Sequence, residues 1–370
     1  MERIVTHSFI RIAAVGALTG ASLVAAACSS GESKGGVDTN RPAARGGGAD
    51  LTGAGATFPQ PIYSKWFSEY AAQKGIKINY QAIGSGGGIR QLSEQTVDFG
   101  ASDAPMTDEE MAKARGGPIM HFPTVIGAVA IAYNLPNLTQ PIRLSGPVAA
   151  DIFLGKITKW SDSRIASLNP GVKLPSTDIL VGHRTDASGT TFIFTSYLAA
   201  VSPEWKSGPS AAKAVQWPVG LGGKGNEGVA GTIKQTPGAI GYVELAYAKQ
   251  NRLTTALVQN AAGQFVAPSV EGATAAAQGA VSALPKNTDY RISIINAAGP
   301  TSYPIASFTW LLVYRNMPDA TKAKQLTDFL RWALTDGEQE VSTLDYAPLP
   351  ASMSTALIAR LDSLGPASAK

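Results

Sequence analysis

The sequence predicts an α/β protein with a largely parallel sheet, and three observations carry that expectation. From Leu51 onward, strand-like apolar runs alternate with helix-like amphipathic runs, the order that builds parallel sheets covered by helices. Apolar residues make up 44% of the 370 positions and charged residues 16%, enough apolar surface for a sizeable core and too little charge for general disorder. Several runs end in glycine- and hydroxyl-rich turns that open the next helix, as in Ser85-Gly86-Gly87-Gly88.

In chain order, Gln60–Gln73 places Ile62, Trp66 and Tyr70 on one helical face, with Gly75 as the stop. Ile76–Ile83 alternates as a strand, and Ser85 opens a second helix through Leu92. Val97–Ala101 is a short buried strand ending at Ser102-Asp103. Ile179–Val181 reads as a strand and Gly189–Leu198 as a helix. Gly238–Val243 and Ser307–Tyr314 read as strands, and Thr321–Leu334 as an amphipathic helix. The alanine-rich stretch Leu253–Leu284 fits neither period, and no internal repeat is present.

The first 27 residues read as a secretion signal. Arg3 and Arg11 supply the basic region, and Ile12–Ala27 is an apolar run shorter than the roughly 20 residues of a membrane-spanning helix. The run ends Val24-Ala25-Ala26-Ala27-Cys28, small residues before the single cysteine, which resembles a lipobox and makes Cys28 the expected lipidation site. Residues 28–50 form a glycine- and serine-rich tether without aromatics, spanning roughly 25 Å.

Charge excludes little but chemistry excludes more. With 31 basic and 27 acidic residues, nothing calls for nucleic acid as partner. One cysteine rules out an intramolecular disulfide and a four-cysteine zinc site, and three histidines leave little material for any metal centre. The dinucleotide fingerprint lacks its third glycine at Gly53-Ala-Gly55, and Gly225 stands at the Ser/Thr position of a P-loop. No nucleophile-elbow motif occurs, and beyond the signal only His121 and His183 could serve as a base. The chain is expected not to be an enzyme and to need no cofactor.

Three loops share one design: Gly53–Phe58, Gly84–Gly88 and Asp186–Thr191 each place small residues and hydroxyls at a helix start. Helix N-termini carry unsatisfied N–H groups and partial positive charge, so three that converge would hold an oxyanion. Each alone is more often a simple cap. Arg184 could add a fork of donors with Asp186 orienting it, although exposed pairs of this kind are common. Asp103 closes a strand before Pro105 and could equally serve a turn.

Leu51-Thr-Gly-Ala-Gly-Ala-Thr-Phe-Pro59, Ile83-Gly-Ser-Gly-Gly-Gly88, Val97–Pro105 and Arg184-Thr-Asp-Ala-Ser-Gly-Thr190 resemble the phosphate-binding component of Pst-type phosphate ABC transporters. Leu221–Asn226, Pro237–Glu244 and Leu344–Pro350 extend the likeness over the whole body. The resemblance implies a two-lobed periplasmic-binding-protein-like (type II) fold with a hinge and an interlobe cleft. Lobe I would comprise 51–126 plus 299–370, and lobe II 127–298. It implies inorganic phosphate as ligand, held by Thr57, Phe58, Ser85, Asp103, Arg184, Ser188, Gly189 and Thr190, with Asp186 holding the arginine. It further implies permease and ATPase partners, and a monomer lipid-anchored on the extracytoplasmic face of the cell membrane. Gly86 departs from the family where a second serine is common, and His183 where another basic residue occurs.

Asp103 would then explain selectivity. Phosphate keeps a proton near neutral pH whereas sulfate does not, so an acceptor-only carboxylate accepts from one and repels the other. Three rivals remain: a binding protein for another protonated oxyanion such as arsenate, a phosphohydrolase using Ser85 or Ser188, and a lipoprotein for adhesion or sensing.

Overall fold

The run Leu51–Gly55 forms β1, and Gln60–Lys74 forms α1, which buries Ile62, Tyr63, Trp66, Phe67 and Tyr70 and stops at the left-handed Gly75. These belong to a computed structural model describing residues 50–281, 284–285 and 288–366. The expected signal, Cys28 and all of the tether but Asp50 lie outside those residues. Next come β2 (Ile78–Ala82), α2 (Ser85–Ser93) and β3 (Phe99–Ser102). β1 pairs in parallel with both β2 and β3, so this is a β–α–β–α–β unit with β1 in the middle.

β4 (Ile119–Tyr133) then runs for 15 residues, every one buried. After it, β5 (Leu180–Arg184), α3 (Gly189–Val201), β6 (Leu221–Gly223), α4 (Gly225–Gln235) and β7 (Ala239–Glu244) make a second unit in which β5 pairs in parallel with β6 and β7. α5 (Leu245–Gln250) and the short β8 (Thr254–Thr255) follow. The chain returns through β9 (Ala306–Tyr314) and α6 (Ala320–Ala333). The sheet has nine strands in the order β2-β1-β3-β9-β4-β7-β5-β6, with β8 also on β4.

The expectation of a largely parallel sheet needs one correction. Each end of the sheet is parallel, but its middle is antiparallel, because β9 runs against both β3 and β4, and β4 against β7. β4 changes partner along its length, from β9 up to Ala128 to β7 from Val129. Its sequence carries no strand signal, because it lies buried throughout and so shows no alternation, while Pro123 argues against a central strand. The proline is tolerated at a register shift: Trp310 pairs with Pro123 and Thr309 with Val125, so Thr124 is the extra residue of a bulge.

Leu253–Leu284 resolves into the short strands Thr254–Thr255, Leu257–Gln259 and Phe265–Val266 and the helix Val270–Val281. Most of the core is one cluster that includes the fully buried Trp66, Trp160 and Trp310, and a smaller separate cluster joins Ala130, Ala132, Val229, Ile233 and Val243 under α4. Replacing one such tryptophan by alanine would cost about 3–5 kcal/mol. Among the described residues no helix is long and apolar enough to cross a membrane.

Candidate functional site

The carboxyl ends of the parallel strands in both units meet, the position where open α/β sheets bind ligands. β1 delivers Thr57 and Phe58, β2 delivers Ser85, and β3 delivers Asp103. From the other unit, β5 delivers Arg184, Asp186, Ser188, Gly189 and Thr190, and β6 delivers Asn226. All are buried or partly buried. The three hydroxyl-bearing helix starts therefore converge.

Contacts join the two sets. Ser85 Oγ accepts from Asp103 N–H at 3.2 Å and from Gly189 N–H at 3.0 Å. Asn226 Nδ2 donates to Thr57 Oγ1 at 2.9 Å and to Thr190 Oγ1 at 3.2 Å. The approach depends on missing side chains. A Cβ on Gly189 would lie 2.5 Å from both Asp103 Oδ2 and Ser85 Oγ, and one on Gly84, at φ +87°, 2.3 Å from Asp186 Oδ2. Gly86 departs from serine for a visible reason, since its Cβ would sit 2.5 Å from that of Ala187.

Arg184 is 4% exposed and lies against Asp186 through two parallel bonds, Nε to Oδ1 at 2.8 Å and Nη2 to Oδ2 at 2.5 Å. Its Nη1 donates to Thr190 Oγ1 at 3.3 Å. Asp186 Oδ1 also accepts from Gly225 N–H at 3.1 Å. Burial pushes the Asp186 carboxyl up, but the guanidinium more than offsets this and leaves it below the usual range. Asp103 is 1% exposed, and burial raises its pKa from 3.8 to about 7 against the opposing pull of Thr309, Arg184 and Ser85. The bulge in β4 contributes here, because Thr309 donates to Asp103 Oδ1 at 2.8 Å and Thr124 bonds Tyr63 beside it.

Phe58 places its ring in the core, while its carbonyl accepts from Tyr346 at 2.6 Å. The neighbouring Thr57 carbonyl accepts from Tyr247, also at 2.6 Å. Ser188 Oγ caps α3 by accepting from Thr191 N–H at 3.1 Å. Asn226, Thr309, Tyr247 and Tyr346 had no role assigned from sequence. Asn226 and Tyr346 stand inside family-like stretches, and Thr309 is a hydroxyl in a largely apolar strand, so a signal existed for three of the four.

Neither histidine is placed to activate a serine. His121 accepts from Met106 N–H through Nε2 and bonds Asp289 through Nδ1, and His183 stacks on Trp217 with ring centres 5.0 Å apart. Among the described residues no group of three or more His, Cys, Asp or Glu could hold a metal ion.

The fold and its cleft are those of a binding protein, and a family model described as PBP superfamily domain matches residues 36–337. Curated relatives narrow this. The chain is 46% identical over 327 residues to phosphate-binding protein PstS of Xylella fastidiosa strain 9a5c, covering 88% of each chain. It is 48% identical over 301 residues to the protein of the same name in Pasteurella multocida strain Pm70, covering 81% of this chain and 86% of that one. The chain belongs to the PstS family of phosphate-binding proteins, solute-binding proteins of ABC transporters and not enzymes. Its fold matches a high-affinity periplasmic phosphate-binding protein solved with phosphate, with a TM-score of 0.66 over 87% of this chain and all of that one at 21% identity.

Proposed function

We propose that this chain captures inorganic phosphate in the cleft between its two parallel units and delivers it to the permease and ATPase of an ABC importer. The observation that carries the reading is one buried carboxylate, Asp103, set among donors: Arg184, the hydroxyls of Thr57, Ser85 and Thr190, and the start of α3. Such a set accepts an oxyanion and requires it to bring one proton, which phosphate has and sulfate lacks. Thr57, Phe58, Ser85, Asp103, Arg184, Ser188, Gly189 and Thr190 are the proposed ligand residues, with Asp186 fixing the arginine. The phosphohydrolase rival is disfavoured by the placement of both histidines.

The lobes are residues 51–126 plus 299–370 and residues 127–298, and closure bends the chain where β4 changes partner. The protein acts as a monomer outside the cytoplasm, after a signal over residues 1–27 is removed and Cys28 is lipidated, with residues 28–50 as tether. The small residues before Cys28 support the anchor. Calorimetric titration with phosphate and then sulfate at one pH and salt tests the function: tight one-to-one phosphate binding without sulfate heat is expected. Equal binding of both would discard the selectivity mechanism, and no binding by a folded sample would discard the function.

A further inference from the structure

Which way the site hydroxyls point decides whether they help or repel an anion, and Asn226 settles the direction. The amide's own orientation is unambiguous: Asn226 Oδ1 accepts from Glu244 N–H at 2.9 Å, so Nδ2 must face the cleft. One Nδ2 hydrogen reaches Thr57 Oγ1 at 2.9 Å and the other Thr190 Oγ1 at 3.2 Å. Each hydroxyl also accepts a second bond, Thr57 from Asn226 N–H at 3.3 Å and Thr190 from Arg184 Nη1 at 3.3 Å. A hydroxyl has two acceptor sites and one proton, so both oxygens are filled and both protons must point elsewhere. Ser85 is in the same condition, accepting from two backbone N–H groups.

We infer that Asn226 is a positioning residue that touches no ligand but forces the Thr57 and Thr190 hydroxyls to act as donors toward it. Asp103 is then the one strong acceptor in a site of enforced donors, so an anion carrying one proton fits and a fully ionised one does not. This deepens the phosphate-binding reading and rests on it. Asn226 is fully buried at the start of α4, and its backbone N–H belongs to the same network, so α4 is tied to the loop after β1 through one residue.

A double-mutant cycle on the full chain separates this role from plain bracing. Phosphate affinity is measured by calorimetry for the wild type, for Asn226→Ala, for Thr57→Val with Thr190→Val, and for all three together. Asn226→Ala is expected to weaken phosphate binding about 10- to 100-fold, since bonds to a charged ligand are lost or misdirected. In the valine background it should cost less than about 2-fold, because no hydroxyl remains to orient, and contacting residues couple in this way. Wild-type affinity in Asn226→Ala, or the same loss in both backgrounds, would overturn the inference and leave phosphate binding standing. No phosphate binding by the wild type would overturn both. If Asn226→Ala does not unfold cooperatively, Asn226→Ser, too short to span both threonines, is held to the same two criteria.

Discussion

Replacing Asp103 by asparagine changes one oxygen for an amide nitrogen and should move selectivity and stability in opposite senses. The introduced amide could still accept from Thr309, which lies 2.8 Å from Oδ1 of the native side chain, but would turn a donor toward the ligand. Phosphate loses one charge-assisted bond, about 1.5–3 kcal/mol, so its affinity should fall about 10- to 100-fold. Sulfate gains a donor and loses a repelling charge, so a discrimination of about 10⁴–10⁵ should shrink to about tenfold or less. Stability follows from burial. Asp103 rises from 3.8 to about 7 in the folded protein, so its contribution is full below pH 3.8 and is lost as pH rises through about 7. At pH 8 that loss is about 4 kcal/mol to order of magnitude, and asparagine does not suffer it. The ligand-free variant should therefore melt above the wild type at pH 8, with the gap narrowing toward pH 4. Competition calorimetry and pH-dependent thermal melts read the two arms. Sulfate still excluded by a folded variant that binds phosphate would refute the reasoning.

Three further outcomes follow from the same geometry, and a fourth from the proposed lipid anchor. In the wild type, sulfate should begin to compete as pH falls through about 7, because protonated Asp103 can donate; a competition series from pH 8 to pH 5 checks it. Arg184→Ala should weaken phosphate binding about 10- to 100-fold with unchanged far-ultraviolet circular dichroism, since the loss falls on a bond to a charged ligand. Gly189→Ala should keep the fold but hold the cleft apart, because its methyl would lie 2.5 Å from Asp103 and Ser85; small-angle scattering with saturating phosphate should show a larger radius than the wild type. Cys28→Ser should shift the protein from the membrane fraction to the soluble extracytoplasmic fraction.

Much of this was legible from residue patterns. α1 was readable because Ile62, Trp66 and Tyr70 repeat at helical spacing and Gly75 ends the run. The first, second and third loops were readable because glycine beside serine or threonine has a specific use at a helix start. β4 was not, because burial on both faces erases alternation. α4 is hidden by its three glycines, Gly225, Gly228 and Gly231, because glycine is a poor helix former. Convergence was beyond any local pattern: that Asn226 bridges Thr57 and Thr190 is a consequence of sheet order, not of spacing.

The position of β9 also bears on how the chain is made. β3 ends at Ser102, yet its second neighbour in the sheet pairs through Trp310, more than two hundred residues later. The second unit, by contrast, has all three of its parallel strands by Glu244. During vectorial synthesis the half begun first is thus completed last, and its open strand edge waits through most of translation. At about 5–20 residues per second that interval lasts about 10–40 s. The topology thus sets an order of assembly: the second unit can pair its parallel strands while the first still waits for a strand that arrives when most of the chain exists.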